Sequence, residues 1–438
     1  MNAPAARINP KDRDAVLQAL RAGVVPKRGI QHVQVGRARE VEALIRDIDR
    51  IADGGGAIRF VIGDYGAGKS FFLNLVRTVA LEKNLVTTLA DLNPDRRLYG
   101  GGGQARSLYA ELTRNIATRS SPEGGAMASI VGRFVTTALQ QSKSDGTSVD
   151  SIIDTRLHAL TELVGGYDFA NVIGAYWRGH DTGNEQLKAD TVRWLRGEFM
   201  TKTDARNALG VRTIIDDDEF YDGLKLLARF TRLSGFGGMM ICLDELVNLY
   251  KLPQAQARAN NYEQLLRILN DTLQGSSEGL GWIFGGTPET LLDARRGLYS
   301  YAALQSRLAE NSFAAQHGVA DVNGPVIRLA NLDATDLFVL LTKLRELFAT
   351  GSPNLPPLPD EALHAFLAHC EQKVGAAYFQ TPRNSIRAFL DLMSVLEQHP
   401  TLEWHELIAR TDLAREEDKD LAESTPDMDD DELKTLRL

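Results

Sequence analysis

A chain of 438 residues, 43% hydrophobic and 24% charged, has the composition of a soluble globular protein and the length for two to three packed subdomains. No run of about 18 apolar residues occurs, which excludes a membrane-spanning helix, and the opening MNAPAARINPKDRDAV lacks the apolar stretch of a secretory signal, so a cytoplasmic location is expected. Ten acidic and four basic residues fall between Arg415 and Leu438, so of the net charge of −9 only −3 belongs to the rest, which offers no electrostatic footprint for nucleic acid.

The first 30 residues read as a helical lead-in. Residues 36–52, GRAREVEALIRDIDRIA, place Val41, Leu44, Ile45, Ile48 and Ile51 at helical spacing and predict an amphipathic helix. A short strand, IRFVIG (58–63), runs into GDYGAGKS (63–70), and SFFLNLVRTVALEKN (70–84) continues as a helix. VTTLADL (86–92) is a second strand, and YGGGGQ (99–104) breaks the chain before further helix. Residues 105–235 read as almost wholly helical, with breaks at 120–125, 142–147 and 178–183. Their Trp177 and Trp194 are expected in the core; a DNA-stacking or partner surface, with Arg193 and Arg196, is the alternative.

GGMMICLDELVNLY (237–250) holds an apolar strand ending in Asp244-Glu245, and LGWIFGGTPE (280–289) another ending in Thr287. VIRLANLD (326–333) starts a last short strand and leads into a helix from about Ala334. Beyond the proline-rich joint GSPNLPPLP (351–359), helices are predicted near 360–373, 382–398 and 402–412. Strands alternating with helices imply an α/β fold, a parallel sheet with helices on both faces. The chain accordingly divides into the lead-in (1–30), a first core part (31–104), a helical insertion (105–235), a second core part (236–350), a helical lid (351–413) and an acidic tail (414–438). The tail is expected to be solvated and disordered; a docking peptide for a basic partner is the alternative. Cys242 and Cys370 lack metal-ligand spacing and are expected as buried thiols.

The stretch from Gly63 through Asp64, Tyr65, Gly66, Ala67, Gly68, Lys69 and Ser70 fits G-x-x-x-x-G-K-[ST], and its strand–loop–helix context is the one this phosphate-binding motif requires. Backbone N–H groups of the loop, up to Phe71 at the start of the helix, would cradle phosphates. Lys69 would reach the β- and γ-phosphates of ATP, and the Ser70 hydroxyl would ligate Mg²⁺. Asp244, delivered to the sheet edge by an apolar strand, would share the metal; Glu245 is placed to act as general base on water. Thr287 could face the γ-phosphate, or merely begin a Thr-Pro turn. Arg307 could enter a neighbouring subunit's site, with Arg295 and Arg296 as competitors. Arg383, with Arg387 as competitor, could touch the γ-phosphate from the C-terminal helices.

The elements VGRARE (35–40), GDYGAGKS, ICLDE, GGTPE, SRL (306–308) and TPR (381–383) occur in the order found in AAA+ ATPases of the origin-initiator and clamp-loader type, which the sequence resembles. That resemblance implies a P-loop AAA+ three-layer core. It places Gly36, Arg37 and Glu40 near the adenine, Lys69 and Ser70 in Walker A, and Asp244 and Glu245 in Walker B. Thr287, Arg307 and Arg383 take the sensor 1, arginine-finger and sensor 2 positions. Initiators carry a winged-helix DNA reader after the lid, whereas this sequence has only one helix and the acidic tail there. Over residues 20–400 the sequence more closely resembles the BrxD family of ATP-binding proteins from bacterial BREX phage-defence loci. The match lies in GDYGAGKSFFL, TVRWLRGEF (191–199), LDELVNLYKL (243–252) and QTPRNSIRAFLDLM. This implies anti-phage defence, with other defence proteins such as a helicase as partners; the candidate arginine finger implies a homo-oligomer, and double-stranded DNA is a further candidate partner. An oligomeric ATPase that remodels or loads partners on DNA is one expected function. A slow nucleotide-dependent switch or scaffold is the second, and a small-molecule kinase the third.

Overall fold

The computed structural model describes residues 8–317, 319, 321–352, 356–374 and 382–410. The acidic tail, Thr381 and the middle of the proline-rich joint lie outside the described residues.

The sheet has five parallel strands: β1 (Ala57–Ile62), β2 (Val86–Asp91), β3 (Met239–Asp244), β4 (Leu280–Gly286) and β5 (Val326–Arg328), in the spatial order β2-β3-β4-β1-β5. Every position of β1, β3 and β4 is buried, as expected where both faces of a parallel sheet are covered. Alternation along each strand splits these residues between two layers. Ile58, Phe60, Ile241, Leu243, Trp282 and Phe284 join the larger apolar cluster on one face. Val61, Met240, Cys242 and Ile283 join the smaller one on the other.

The smaller layer is built by α2 (Ala38–Ala52), through Leu44, Ile48 and Ile51, and by α3 (Lys69–Glu82), through Phe72, Leu73 and Val76. They are the second and third helices in the chain, after α1 (Pro10–Arg21), which Asn9 caps by accepting from the Lys11 N–H at 3.0 Å. The larger layer comes mostly from the long stretch between β2 and β3. It folds as α4 (Gln104–Arg114), α5 (Met127–Asp145), α6 (Val149–His158), α7 (Gly166–Thr182), α8 (Glu185–Leu195), α9 (Lys202–Leu209) and α10 (Phe220–Leu233). Their side chains share one apolar cluster with the sheet: Phe134 meets Phe230 at 5.2 Å between ring centroids, and Phe169 meets Trp194 at 6.1 Å. Trp177 and Trp194 are buried, and their indole N–H groups donate to Asp150 Oδ1 (2.9 Å) and the Thr213 carbonyl (2.8 Å). The break predicted at 178–183 is confined to its end. Helix α7 runs on to Thr182, and Gly183, at φ 70°, closes it.

Between β3 and β4 lie α11 (Val247–Tyr250) and α12 (Ala255–Leu273); α13 (Pro288–Leu292), α14 (Ala302–Leu308) and α15 (Ser312–Gln316) precede β5. The chain then gives α16 (Ala334–Ala349), α17 (Asp360–Val374), α18 (Pro382–Gln398) and α19 (Trp404–Arg410). These last four form a third apolar cluster, which also takes in Val16 of α1 and Val33. Both ends of the described chain therefore pack together, and Arg21 pairs with Asp391 at 3.1 Å. No helix among the described residues is long and apolar enough to cross a membrane.

Candidate functional site

The C-terminal ends of β1 and β3 point to the same edge of the sheet, because all strands are parallel. There β1 passes into the glycine loop and α3 begins at Lys69, with Gly66 and Gly68 at φ 80° and 79°, where a side chain would be strained. The Lys69 ammonium donates to the carbonyls of Gly63 and Asp64, both at 2.9 Å. Burial lowers the Lys69 pKa from its ordinary value, and the carboxylates of Asp244, Glu245, Asp64 and Glu289 oppose that shift.

Asp244, the last residue of β3, is 4% exposed. Its Oδ2 accepts from the Ser70 hydroxyl at 2.6 Å, and its Oδ1 accepts from the Glu245 N–H at 2.9 Å. Two hard oxygen donors thus meet at the start of α3, and this donor set fits Mg²⁺. Glu245 is left-handed, at φ 62°, one of few such non-glycine residues. Backbone of this kind outside glycine is strained and clusters at functional sites. The next residue is held by a Leu246 N–H to Gly285 carbonyl bond of 2.9 Å.

Gly285, the first residue of GGTPE, is a contributor to which the motif assigned no role. A Cβ there would stand 2.2 Å from Asp244 Oδ1. Only a bare backbone on β4 leaves room for the carboxylate on β3. Gly285→Ala should therefore cost about 1–3 kcal/mol of fold stability, as overpacked cores do. Denaturant unfolding measures this; an unchanged midpoint would mean that the carboxylate moves aside freely.

A cavity of about 220 Å³ opens beside the loop. Tyr65 to Phe71 and Glu245 line one side. Val24, Val25, Val33 and Val35 from the N-terminal segment, with Leu340 and Ile386 from the C-terminal helices, supply an apolar side. Val24, Val25 and Val33 carry no sequence signal beyond being apolar outside the periodic elements, so sequence reasoning missed them, and Val35 entered it only as the first residue of VGRARE. Arg383 lines the cavity too, with its Cδ packed 3.2 Å from where a Cβ on Gly23 would lie. Arg37 also lines it; its Nη2 donates to the carbonyls of Ala67 and Ala330. Burial pulls the guanidinium pKa down, with Glu40 and Asp336 opposing. Gly36, at φ 59°, lies against Asp336 of α16 rather than in the cavity.

Of the predicted site residues, Gly36, Gly63, Asp64, Asp244, Thr287 and Arg307 lie off the cavity lining, and the last two are set apart from the glycine loop by their own contacts. Thr287 is 9% exposed and N-caps α13: its Oγ1 sits 3.1 Å from Thr290 Oγ1 and accepts from the Thr290 N–H at 3.5 Å. Arg307 is exposed on α14, where its Nη1 donates to the Ala303 carbonyl at 3.0 Å. Its neighbours in the contest for that role differ in setting: Arg295 is exposed, whereas Arg296 packs on the Tyr250 ring at 5.5 Å.

Residues 8–412 match the family described as BREX system ATP-binding protein BrxC/D. No curated protein matches the chain. A match of that extent shows the family: the chain belongs to the BREX system ATP-binding proteins BrxC/D.

Proposed function

From that membership as premise, we propose that the chain is an AAA+ ATPase that hydrolyses ATP to ADP and phosphate as part of an anti-phage defence system. One observation carries this reading. Ser70 and Asp244, 174 positions apart in sequence, meet at 2.6 Å beside the glycine loop. Such a pair at the start of a loop-bound helix serves a metal–phosphate group. The strand order supports the AAA+ assignment, since β4 lies between the loop strand and the acid strand.

In this reading ATP lies with its phosphates against residues 63–71 and its base toward the apolar side of the cavity, on the side of Arg37. Lys69 balances phosphate charge. Ser70 and Asp244 hold Mg²⁺, which, when bound, neutralises charge on the phosphate oxygens. Glu245 takes a proton from water as the water oxygen attacks the γ-phosphorus and the bond to the β-phosphate oxygen breaks. Arg383 reports the γ-phosphate to the C-terminal helices. Thr287 holds the turn after β4, beside the acid strand. We retain the division into lead-in, two core parts, helical insertion, lid and tail as a working scheme, and a cytoplasmic homo-oligomer as the working assembly. Other defence proteins, a helicase among them, and double-stranded DNA are the partners proposed.

Arg307 is proposed to complete the site of a neighbouring subunit. Its exposed position, off its own chain's cavity, supports that role over one in cis. Arg307→Ala should bind ATP normally and hydrolyse it poorly; such arginines are worth roughly 10³–10⁵ in rate in GTPases. Mixing Arg307→Ala with Glu245→Gln should restore phosphate release, because some interfaces then join an intact base to an intact arginine. Proven hetero-assembly without recovered activity would remove Arg307 from the mechanism. The same exposure favours a second reading, in which the isolated chain turns over slowly and serves as a nucleotide-dependent switch. Phosphate release that does not rise with protein concentration or with DNA would support the switch.

A further inference from the structure

We infer that Arg37 is a positioning residue: its guanidinium ties the crest of the phosphate loop to the segment joining β5 to α16, so that the C-terminal helices read the state of the loop. This rests on ATP occupying the loop as proposed above. Gly36 and Arg37 are consecutive left-handed residues, at φ 59° and 58°. Arg37 accepts a conformation that disfavours side chains, which is a mark of functional constraint. The turn lies close against α16: the Asp336 carboxylate, in its first turn, stands 2.9 Å from where a Cβ on Gly36 would be.

Held this way, the Arg37 side chain crosses the loop. Nη2 donates to the Ala67 carbonyl and, at 3.3 Å, to the Ala330 carbonyl. Nη1 lies 3.3 Å from where a Cβ on Gly68 would be. In a trans peptide the C=O and the following N–H point in opposite directions. Fixing the Ala67 carbonyl on Arg37 therefore turns the Gly68 N–H away from Arg37. An anion held by backbone N–H groups needs that orientation set beforehand.

The second carbonyl gives the contact its reach. Ala330 stands three residues before Asp333, which N-caps α16 by accepting from the Asp336 N–H at 2.7 Å. Helix α16 places Leu337, Leu341 and Leu344 in the same cluster as α17 and α18. Two further contacts run along this seam. The Leu329 carbonyl lies 3.1 Å from where a Cβ on Gly63 would stand, and the Asn331 amide donates to Asp64 Oδ2 at 3.3 Å. A shift of the loop crest therefore pulls on α16 through one guanidinium, a route separate from Arg383 on α18.

The test uses the full chain, with Arg37→Ala and Arg37→Lys compared with wild type. ATP affinity, nucleotide-free thermal unfolding, and hydrogen exchange of residues 333–341 with and without saturating ATP are measured. Arg37→Ala should bind ATP about 10–100-fold more weakly, the range for losing a charged hydrogen-bond donor. Arg37→Lys cannot span two carbonyls with a fork. It should keep ATP affinity within about tenfold of wild type and lose the ATP-dependent protection of α16 expected of wild type, whose absence from wild type that binds ATP would also overturn the inference. If Arg37→Ala does not fold, Arg37→Lys carries the test. Wild-type protection in Arg37→Lys at saturating ATP would overturn the inference while leaving ATP binding intact. So would an altered melting temperature with unchanged protection. Absence of ATP binding by wild type itself would instead overturn the reading beneath it.

Discussion

Lys69→Ala is expected to lower ATP affinity by at least about 100-fold, beyond what a standard titration detects. The ammonium donates to two carbonyls of the loop itself, those of Gly63 and Asp64. Four carboxylates, Asp244, Glu245, Asp64 and Glu289, act on it. Without Lys69 those carboxylates face the triphosphate with no fixed positive charge in the loop. Backbone N–H groups supply dipoles but no net charge, and the metal answers the Ser70 side of the phosphates. The fold should survive, since Lys69 lies at the first position of α3 and its loss leaves the apolar residues Phe72, Leu73 and Val76 in place. Isothermal titration with ATP·Mg²⁺ decides this, alongside a melting curve taken without nucleotide. Unchanged affinity would remove the loop from nucleotide binding.

Glu245→Gln should bind ATP and fail to hydrolyse it, with phosphate release falling about 10²–10⁴-fold, the usual contribution of a general base. The amide keeps the size and the left-handed backbone of Glu245 and loses only the basic oxygen. Asp244 keeps its bonds to Ser70 and to the backbone N–H of residue 245, so the metal donors are unaffected. Binding and turnover should therefore separate, and the ATP-bound form should accumulate as the larger assembly. Affinity, phosphate release and mass in solution are measured on one preparation. Wild-type release by the variant would exclude Glu245 as the base. A fall in ATP affinity equal to that of Lys69→Ala would assign Glu245 to binding instead.

The sequence carried the local elements well. Strands β1, β3 and β4 are short apolar runs bounded by turn residues, and all three form within about two residues of the predicted spans. The periodic apolar face of 36–52 becomes α2, with Leu44, Ile48 and Ile51 buried on the sheet. A single polar residue carries less local information about where its side chain points. In sequence Thr287 fits both a phosphate-facing residue and the start of a turn; its hydroxyl caps α13. The SRL element around Arg307 is too short to aim its side chain, which lies on an exposed helix face.

By itself the sequence determined the strand–loop–helix around Lys69 and the acidic pair after an apolar strand, because both depend on neighbours within about ten residues. It also determined that helices separate these two motifs. Tertiary structure alone decided that Ser70 and Asp244 meet, since that requires β4 to insert between β1 and β3 from far along the chain. Tertiary structure likewise decided that Gly285 clears space for Asp244 and that four valines near the N-terminus line the cavity. It decided that Arg37 grips Ala67 and Ala330, 30 and 293 positions away. Contacts between residues so far apart depend on strand order and on which way a left-handed turn throws its side chain. Neither quantity leaves a period or a composition that a linear pattern can register.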